Sequence, residues 1–262
     1  MRLEKTLMKL TPKPFRLPVK YYYHQIRNRL EKEIFYLEQL GGTHKRAIDI
    51  GANAGFYTYA LSRLYDVIEV FEPQSWCTEN ILSYSKLSAS KINAYNIGLA
   101  DFHGSLNLHI PVSEGGYSQV VKGVGSLTTG LASFRNIEGE QKTMEVPVRK
   151  LDDYNFQDVS FIKIDVEGFE SKVIAGASQT IMREKPILLI EIENRHLEGK
   201  SITDIFDQIS EFGYEGGFLY KGRIEKLADF YTQIQAKQNH FLEDMSQQIY
   251  INNFIFKPLV ES

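Results

Sequence analysis

Between residues 46 and 192 the apolar positions gather into short runs, 47–50, 67–71, 92–100, 159–165 and 186–192, with little polar alternation. Runs of this kind predict strands covered on both faces. The stretches between them, 54–64, 75–87 and 167–182, have helical spacing. Such β-α-β-α order implies right-handed crossovers and a doubly wound parallel α/β sheet. Residues 104–149 interrupt the alternation. Two segments with period-two patterning, 105–110 and 144–148, enclose a Gly- and Ser-rich stretch. This predicts a strand pair around an inserted loop, a feature that often carries function. Further on, Ile202, Ile205, Phe206, Ile209 and Phe212 predict a helix closed by Gly213, followed by strands at 214–220 and 248–256.

The first 45 residues differ and are expected to form a helical extension to a main domain spanning 46–262. Pro12, Pro14 and Pro18 break its first part, and Tyr22, Tyr23, Ile26, Leu30, Ile34, Leu37 and Leu40 predict one helix over 22–40, ended by Gly41-Gly42. Nine cations face four acids within residues 1–40. A helix capping the main domain accounts for this better than a membrane-surface helix, because basic charge on a solvated face is common.

Composition narrows the class. With 262 residues and 43% hydrophobic positions, the chain can bury a full core without staples. A formal charge of −3 argues against nucleic acid as the main partner, and a single cysteine, Cys77, excludes an internal disulfide. The charged start and the lack of a long apolar segment predict a cytoplasmic protein with no stable membrane insertion.

The chemistry concentrates at strand ends. The first strand closes with Asp49, and Gly51, Ala52, Asn53, Gly55, Phe56 and Thr58 form a turn into a helix. Glycines there allow close approach of a ligand to backbone N–H groups. Glu72-Pro73 closes the second strand, where an acid can hold a ribose, and Asp101 follows the third. The dinucleotide fingerprint would have a third glycine, and Asp49 would repel a pyrophosphate but suits an ammonium group. S-adenosylmethionine meets that description, with its carboxylate on the loop, its ammonium near Asp49, its ribose on Glu72 and its adenine near Asp101. An NAD-dependent dehydrogenase and a non-catalytic nucleoside-binding protein are the competing classes.

A second acid-rich run, residues 161–170, ends the fourth parallel strand. Helix capping accounts for Glu170, but not for Asp165 after Lys163 at the mouth of the sheet. Asp165 is the first candidate for a general base, with Glu167 and Glu191 as alternatives and His196 as a further possibility. Lys163 can orient these carboxylates or pair with Glu167. Asp165, Glu167 and Glu191 also offer oxygen ligands for a divalent ion, a variant that is kept open but not expected. Lys163, Ser126 and His196 are candidate acceptor-binding residues, with Tyr117, Arg135 and Tyr21 to Tyr23 near the same pocket.

With these motifs in place, the chain resembles the FkbM-type class I S-adenosylmethionine-dependent methyltransferases. The similarity runs over roughly residues 46–194 and rests above all on Ile162-Lys-Ile-Asp-Val-Glu-Gly-Phe-Glu170. Asn252-Asn-Phe-Ile-Phe256 is weakly similar to the last strand of that family. The resemblance implies a seven-stranded Rossmann-like sheet with an antiparallel last strand. It also implies methyl transfer to a hydroxyl of a sugar, glycan or natural-product acceptor. Gln74-Ser75 stands where the family often has Asn-Pro, and residues 1–45 have no recognisable counterpart.

Overall fold

The apolar runs become strands because β-branched and aromatic residues pack well on a sheet buried from both sides. A computed structural model describes residues 2–111, 118–121, 125–128, 132–134, 141–193, 196–197, 201–230 and 251–259. In chain order the strands are β1 (Arg46–Ile50), β2 (Val67–Phe71), β3 (Lys91–Tyr95), β4 (Gly98–Leu99), β5 (Gly104–Pro111), β6 (Ser118–Val121), β7 (Gly125–Thr128) and β8 (Gln141–Arg149). They continue with β9 (Val159–Ile164), β10 (Ile187–Glu191), β11 (Tyr214–Tyr220), β12 (Arg223–Lys226) and β13 (Asn253–Pro258). The helices are α1 (Arg2–Leu10), α2 (Arg16–Ile26), α3 (Leu37–Leu40), α4 (Phe56–Leu61), α5 (Ser75–Ser85), α6 (Glu170–Gly176), α7 (Ser178–Glu184), α8 (Ile202–Ser210) and α9 (Leu227–Phe230).

The main sheet has the order β12-β11-β13-β10-β9-β1-β2-β3. Five neighbours, β3 to β10 in that order, run parallel, and β13 lies antiparallel between β10 and β11. The doubly wound sheet is therefore as expected, with one correction to the count of seven. β12 folds back on β11 through Lys221-Gly222, both at positive φ, and adds an eighth strand at the edge.

Register places the polar residues. Asp49 lies beside Lys163, Lys163 beside Leu189, and Glu191 beside Asn253. Since side chains alternate across a strand, Asp49, Lys163, Glu191 and Asn253 share one face of the sheet. The opposite face, with Ile48, Ile162, Leu188 and Phe254, packs on Val173, Ile181 and Ile205 from α6, α7 and α8.

Three sequence expectations are corrected. The helix over 22–40 is divided: α2 ends at Ile26, Asn28 turns left-handed at φ 55°, and the chain resumes as a 3-10 turn, Lys32–Tyr36, and α3. Asparagine tolerates that conformation, and the turn lets Leu30 and Ile34 enter the core. The run 92–100 splits because β4 leaves the main sheet to pair with β8. The helix expected at 167–182 begins at Glu170 and is interrupted at Ala177.

The inserted strand pair is present as β5 and β8, antiparallel along their full length. The N-terminal segment shares its core with the main domain. Leu17, Tyr21, Leu37 and Leu40 belong to one apolar cluster with Ala47, Val70, Phe161 and Leu189.

Candidate active site

The turn after β1 and the turn after β9 are built against each other. Gly51, at φ 78°, donates its N–H to Phe71 O at 2.8 Å, and a Cβ on it would lie 1.7 Å from Asp165 O. Asp165 N–H donates to Ile50 O at 3.0 Å. Only glycine fits so close an approach. The two motifs noted in the sequence are thus one site.

Glu72 locks the loop. Its Oε2 accepts from Asn53 N–H at 2.7 Å and its Oε1 from Gln74 N–H at 2.8 Å. The Gln74 side chain donates to the same carboxylate, which leaves it one further acceptor position. Burial pushes the carboxyl up to about 7, against the opposing effect of those hydrogen bonds.

A cleft opens here, bounded by Gly51, Asn53, Glu72, Pro73 and Gln74. Its apolar wall is Ile97, Leu99, Leu108, Ala132 and Phe134, the last three from the insertion, and its far rim is Asp165, Val166 and Glu167. An apolar slot with a few convergent polar groups is the usual form of a nucleoside site. Ser133 Oγ donates to Glu167 O at 2.7 Å, tying the insertion to the rim, where Glu167 and Gly168 both have positive φ.

Behind the rim lies a charged cluster. Lys163 is 1% exposed, and its Nζ is 3.8 Å from Asp165 Oδ2, 3.4 Å from Asn253 Oδ1 and 5.0 Å from the centre of the Tyr57 ring. Carboxylate oxygens of Asp165, Glu191 and Glu31 lie within 4.8 Å of one another. Glu31 comes from the N-terminal segment, and its Oε2 accepts from Tyr57 Oη at 2.7 Å and Asn253 Nδ2 at 3.1 Å. Burial raises Asp165 well above the usual carboxylate range, Lys163 opposes this, and Glu191, Glu167 and Glu31 add to it. Burial likewise raises Glu191 to about 7 despite Lys163. For Lys163 burial works to lower the ammonium, but Asp165, Glu31, Glu191 and Asp49 outweigh it and hold it above its ordinary value.

A second set sits alongside. His196 Nδ1 is 2.9 Å from Glu167 Oε2 and 3.6 Å from Glu193 Oε2. Asn252 Nδ2 bridges the sets by donating to Glu191 and, at 3.3 Å, to Glu193. Either triad, Glu31/Asp165/Glu191 or Glu167/Glu193/His196, has the donor types of a divalent-ion site.

The structure brings Gly51, Asn53, Glu72, Pro73, Asp165 and Glu167 to the cleft, with Glu191 and His196 adjoining. Others are elsewhere. Asp49 is sealed beneath the loop, accepting from Thr58 Oγ1 at 2.5 Å, and burial raises it to about 6. Gly55 packs against Leu17 and Ile81, Ala52 is buried in the same cluster, and Phe56 packs on Tyr21 and His24. Asp101 is outside the cleft lining, held by Lys172 at 3.0 Å. Lys163 pairs with Asp165 and not with Glu167, whose partner is His196. The side chain of Ser126, with Tyr117 and Arg135, lies outside the described residues. Glu31 carries no signal in the sequence, since it is neither a strand-end acid nor part of the glycine turn, and Tyr57 lies within that turn segment without being singled out.

Residues 49–215 match the family model described as a methyltransferase FkbM domain. Among solved structures the chain is similar to methyltransferase FkbM from Methylobacillus flagellatus KT, at 17% identity and a TM-score of 0.51. That match covers 97% of this chain and 57% of the other, so the chain spans little more than half of that protein. It is also similar to an rRNA methylase from Streptococcus thermophilus, at 10% identity and a TM-score of 0.44, covering 86% of this chain and 94% of that one. No curated protein matches the chain.

Proposed function

Because the chain belongs to the FkbM methyltransferase family, we propose that it is an S-adenosylmethionine-dependent O-methyltransferase acting on a hydroxyl of a sugar, glycan or natural-product acceptor. When bound, the cofactor supplies an electrophilic methyl group on its sulfonium. The cleft residues fit such a group. Glu72 keeps an acceptor position for a ribose hydroxyl, and Ile97, Leu99 and Phe134 provide an apolar slot for a planar base.

What the protein adds is alignment and a proton acceptor. Orienting the reactants can be worth about 7–11 kcal/mol. An alcohol is a weak nucleophile, so a base that takes its proton contributes about 10²–10⁴-fold. Asp165 is favoured for that role over Glu191 and Glu167. It lines the cleft, which Glu191 does not, and it is not engaged by His196 as Glu167 is. A carboxylate raised by burial is also a stronger proton acceptor near neutral pH. Lys163 supplies positive charge beneath it, so turnover is expected to survive chelators.

The position of the Asp165 carboxylate, on the cleft rim and over a buried ammonium, carries this reading. A labelled-methyl screen over nucleotide sugars, oligosaccharides and small phenols tests it. Asp165→Asn is expected to keep S-adenosylhomocysteine binding and lose turnover by about 10²–10⁴-fold. Full activity in that variant would remove Asp165 as the base, and calorimetric preference for NAD would overturn the cofactor assignment.

A further inference from the structure

Residues 12–30 contain Lys13, Arg16, Lys20, Arg27 and Arg29 and no acid, in a chain whose formal charge is −3. Within this stretch α2 is apolar on two opposite sides. Leu17, Tyr21 and His24 are buried, with Tyr21 and His24 against Phe56. Phe15, Tyr22 and Ile26 follow at spacings of seven and four, which at 100° per residue puts them within about 20° of one line along the helix. They are 51%, 43% and 86% exposed. Val19, partly exposed, lies near the same line.

A helix packed on a globular core ordinarily turns polar residues outward. Here the outward line is apolar, and Lys13, before the helix, and Arg27 and Arg29, after it, are exposed. Lys20 is not counted with them, because its ammonium lies 5.6 Å from the centre of the Phe56 ring. Cations flanking an apolar stripe, with no acid among them, complement an anionic lipid surface. A stripe of three or four side chains is small for a stable protein interface, which takes roughly 20–30 residues a side. A bilayer needs only shallow insertion.

We infer that α2, with the turn before it, is a surface-binding element that seats the protein on anionic phospholipid bilayers, lying among the headgroups with Phe15 and Ile26 toward the acyl region and Tyr22, packed on Tyr59, between them. Among the described residues no helix is long and apolar enough to cross a membrane, so the contact is peripheral. This inference does not depend on the reaction proposed above.

Flotation of the full chain with vesicles tests it. Binding is expected to vesicles of phosphatidylglycerol and phosphatidylcholine in equal parts, to weaken with salt, and to be absent on phosphatidylcholine alone. Lys13→Gln, Arg27→Gln and Arg29→Gln together are expected to lower partitioning on the order of a hundredfold. Phe15→Ser with Ile26→Ser should lower it by about tenfold or more. All five side chains are exposed, so melting and S-adenosylhomocysteine binding should stay unchanged and report that the fold is intact. No binding of the unaltered chain, equal binding to neutral vesicles, or undiminished binding in both variants would overturn the inference. Self-association lost in the Phe15/Ile26 variant, without vesicle binding, would instead assign the face to a second copy of this chain.

Discussion

A Cβ on Gly51 would lie 1.7 Å from the carbonyl oxygen of Asp165, so the glycine turn after β1 and the acid-bearing turn after β9 meet backbone to backbone. The proposed cofactor cleft and the proposed base are therefore set by one contact. Displacing either turn displaces the other.

Gly51→Ala should be among the most damaging single substitutions. It combines a Cβ overlap with backbone at positive φ, and a loss upwards of about 4 kcal/mol is expected. Thermal melting should show a drop of about 10 °C or more. A variant melting within about 2 °C of the parent would mean that the two turns can separate freely.

Glu72 predicts a pH dependence of cofactor affinity. In the proposed site its ionised form is the one that accepts from a ribose hydroxyl, and burial raises it to about 7. Affinity for S-adenosylhomocysteine should therefore rise with pH, approaching tenfold per unit well below 7 and levelling off above it. Without ligand the sign for stability is reversed. The folded state binds this proton more tightly than the unfolded one, so the stabilising contribution is full below about 4.5 and is lost as pH rises through about 7. Glu72→Gln should flatten both profiles and weaken binding by roughly tenfold to a hundredfold. Calorimetric titration from pH 6 to pH 8 reads the first effect directly.

Lys163→Met should cost about 3–5 kcal/mol, because it leaves Asp165, Glu191 and Asp49 without their shared cation. Lys163 draws Asp165 and Glu191 downward, so its loss should move the acidic limb of the rate profile to higher pH. A melting loss with an unmoved profile would make the lysine a packing residue only.

Glu31→Gln should act in the opposite direction. Glu31 raises both Asp165 and Glu191, while glutamine can still accept from Tyr57 and Asn253. The acidic limb should move to lower pH with little change in melting. An unmoved limb would detach the N-terminal segment from the chemistry.

The parallel sheet was legible because covered strands write themselves as apolar runs, and the run at 67–71 has the same bounds as β2. Gly51, Asn53 and Glu72 were legible for a related reason. A strand-to-helix turn that receives a ligand needs small residues and an acid at fixed local offsets. Asp101 shows the limit of that reasoning, since it ends the expected strand yet bonds to Lys172, while Ile97 to Leu99 take the place beside the cleft.

By itself the sequence determined the parallel strands of the main sheet, their winding and the strand ends at which carboxylates stand, because these follow from periodicity and local backbone requirements. Only the tertiary structure decided which of those carboxylates share a charge. Glu31 and Asn253 are 222 positions apart and meet through sheet register and the turn at Asn28. Lys163 takes Asp165, the first residue beyond β9, as its partner, while Glu167, turned left-handed further along, is directed to His196. Long-range electrostatics depends on distances that only folding sets, and no local pattern encodes them.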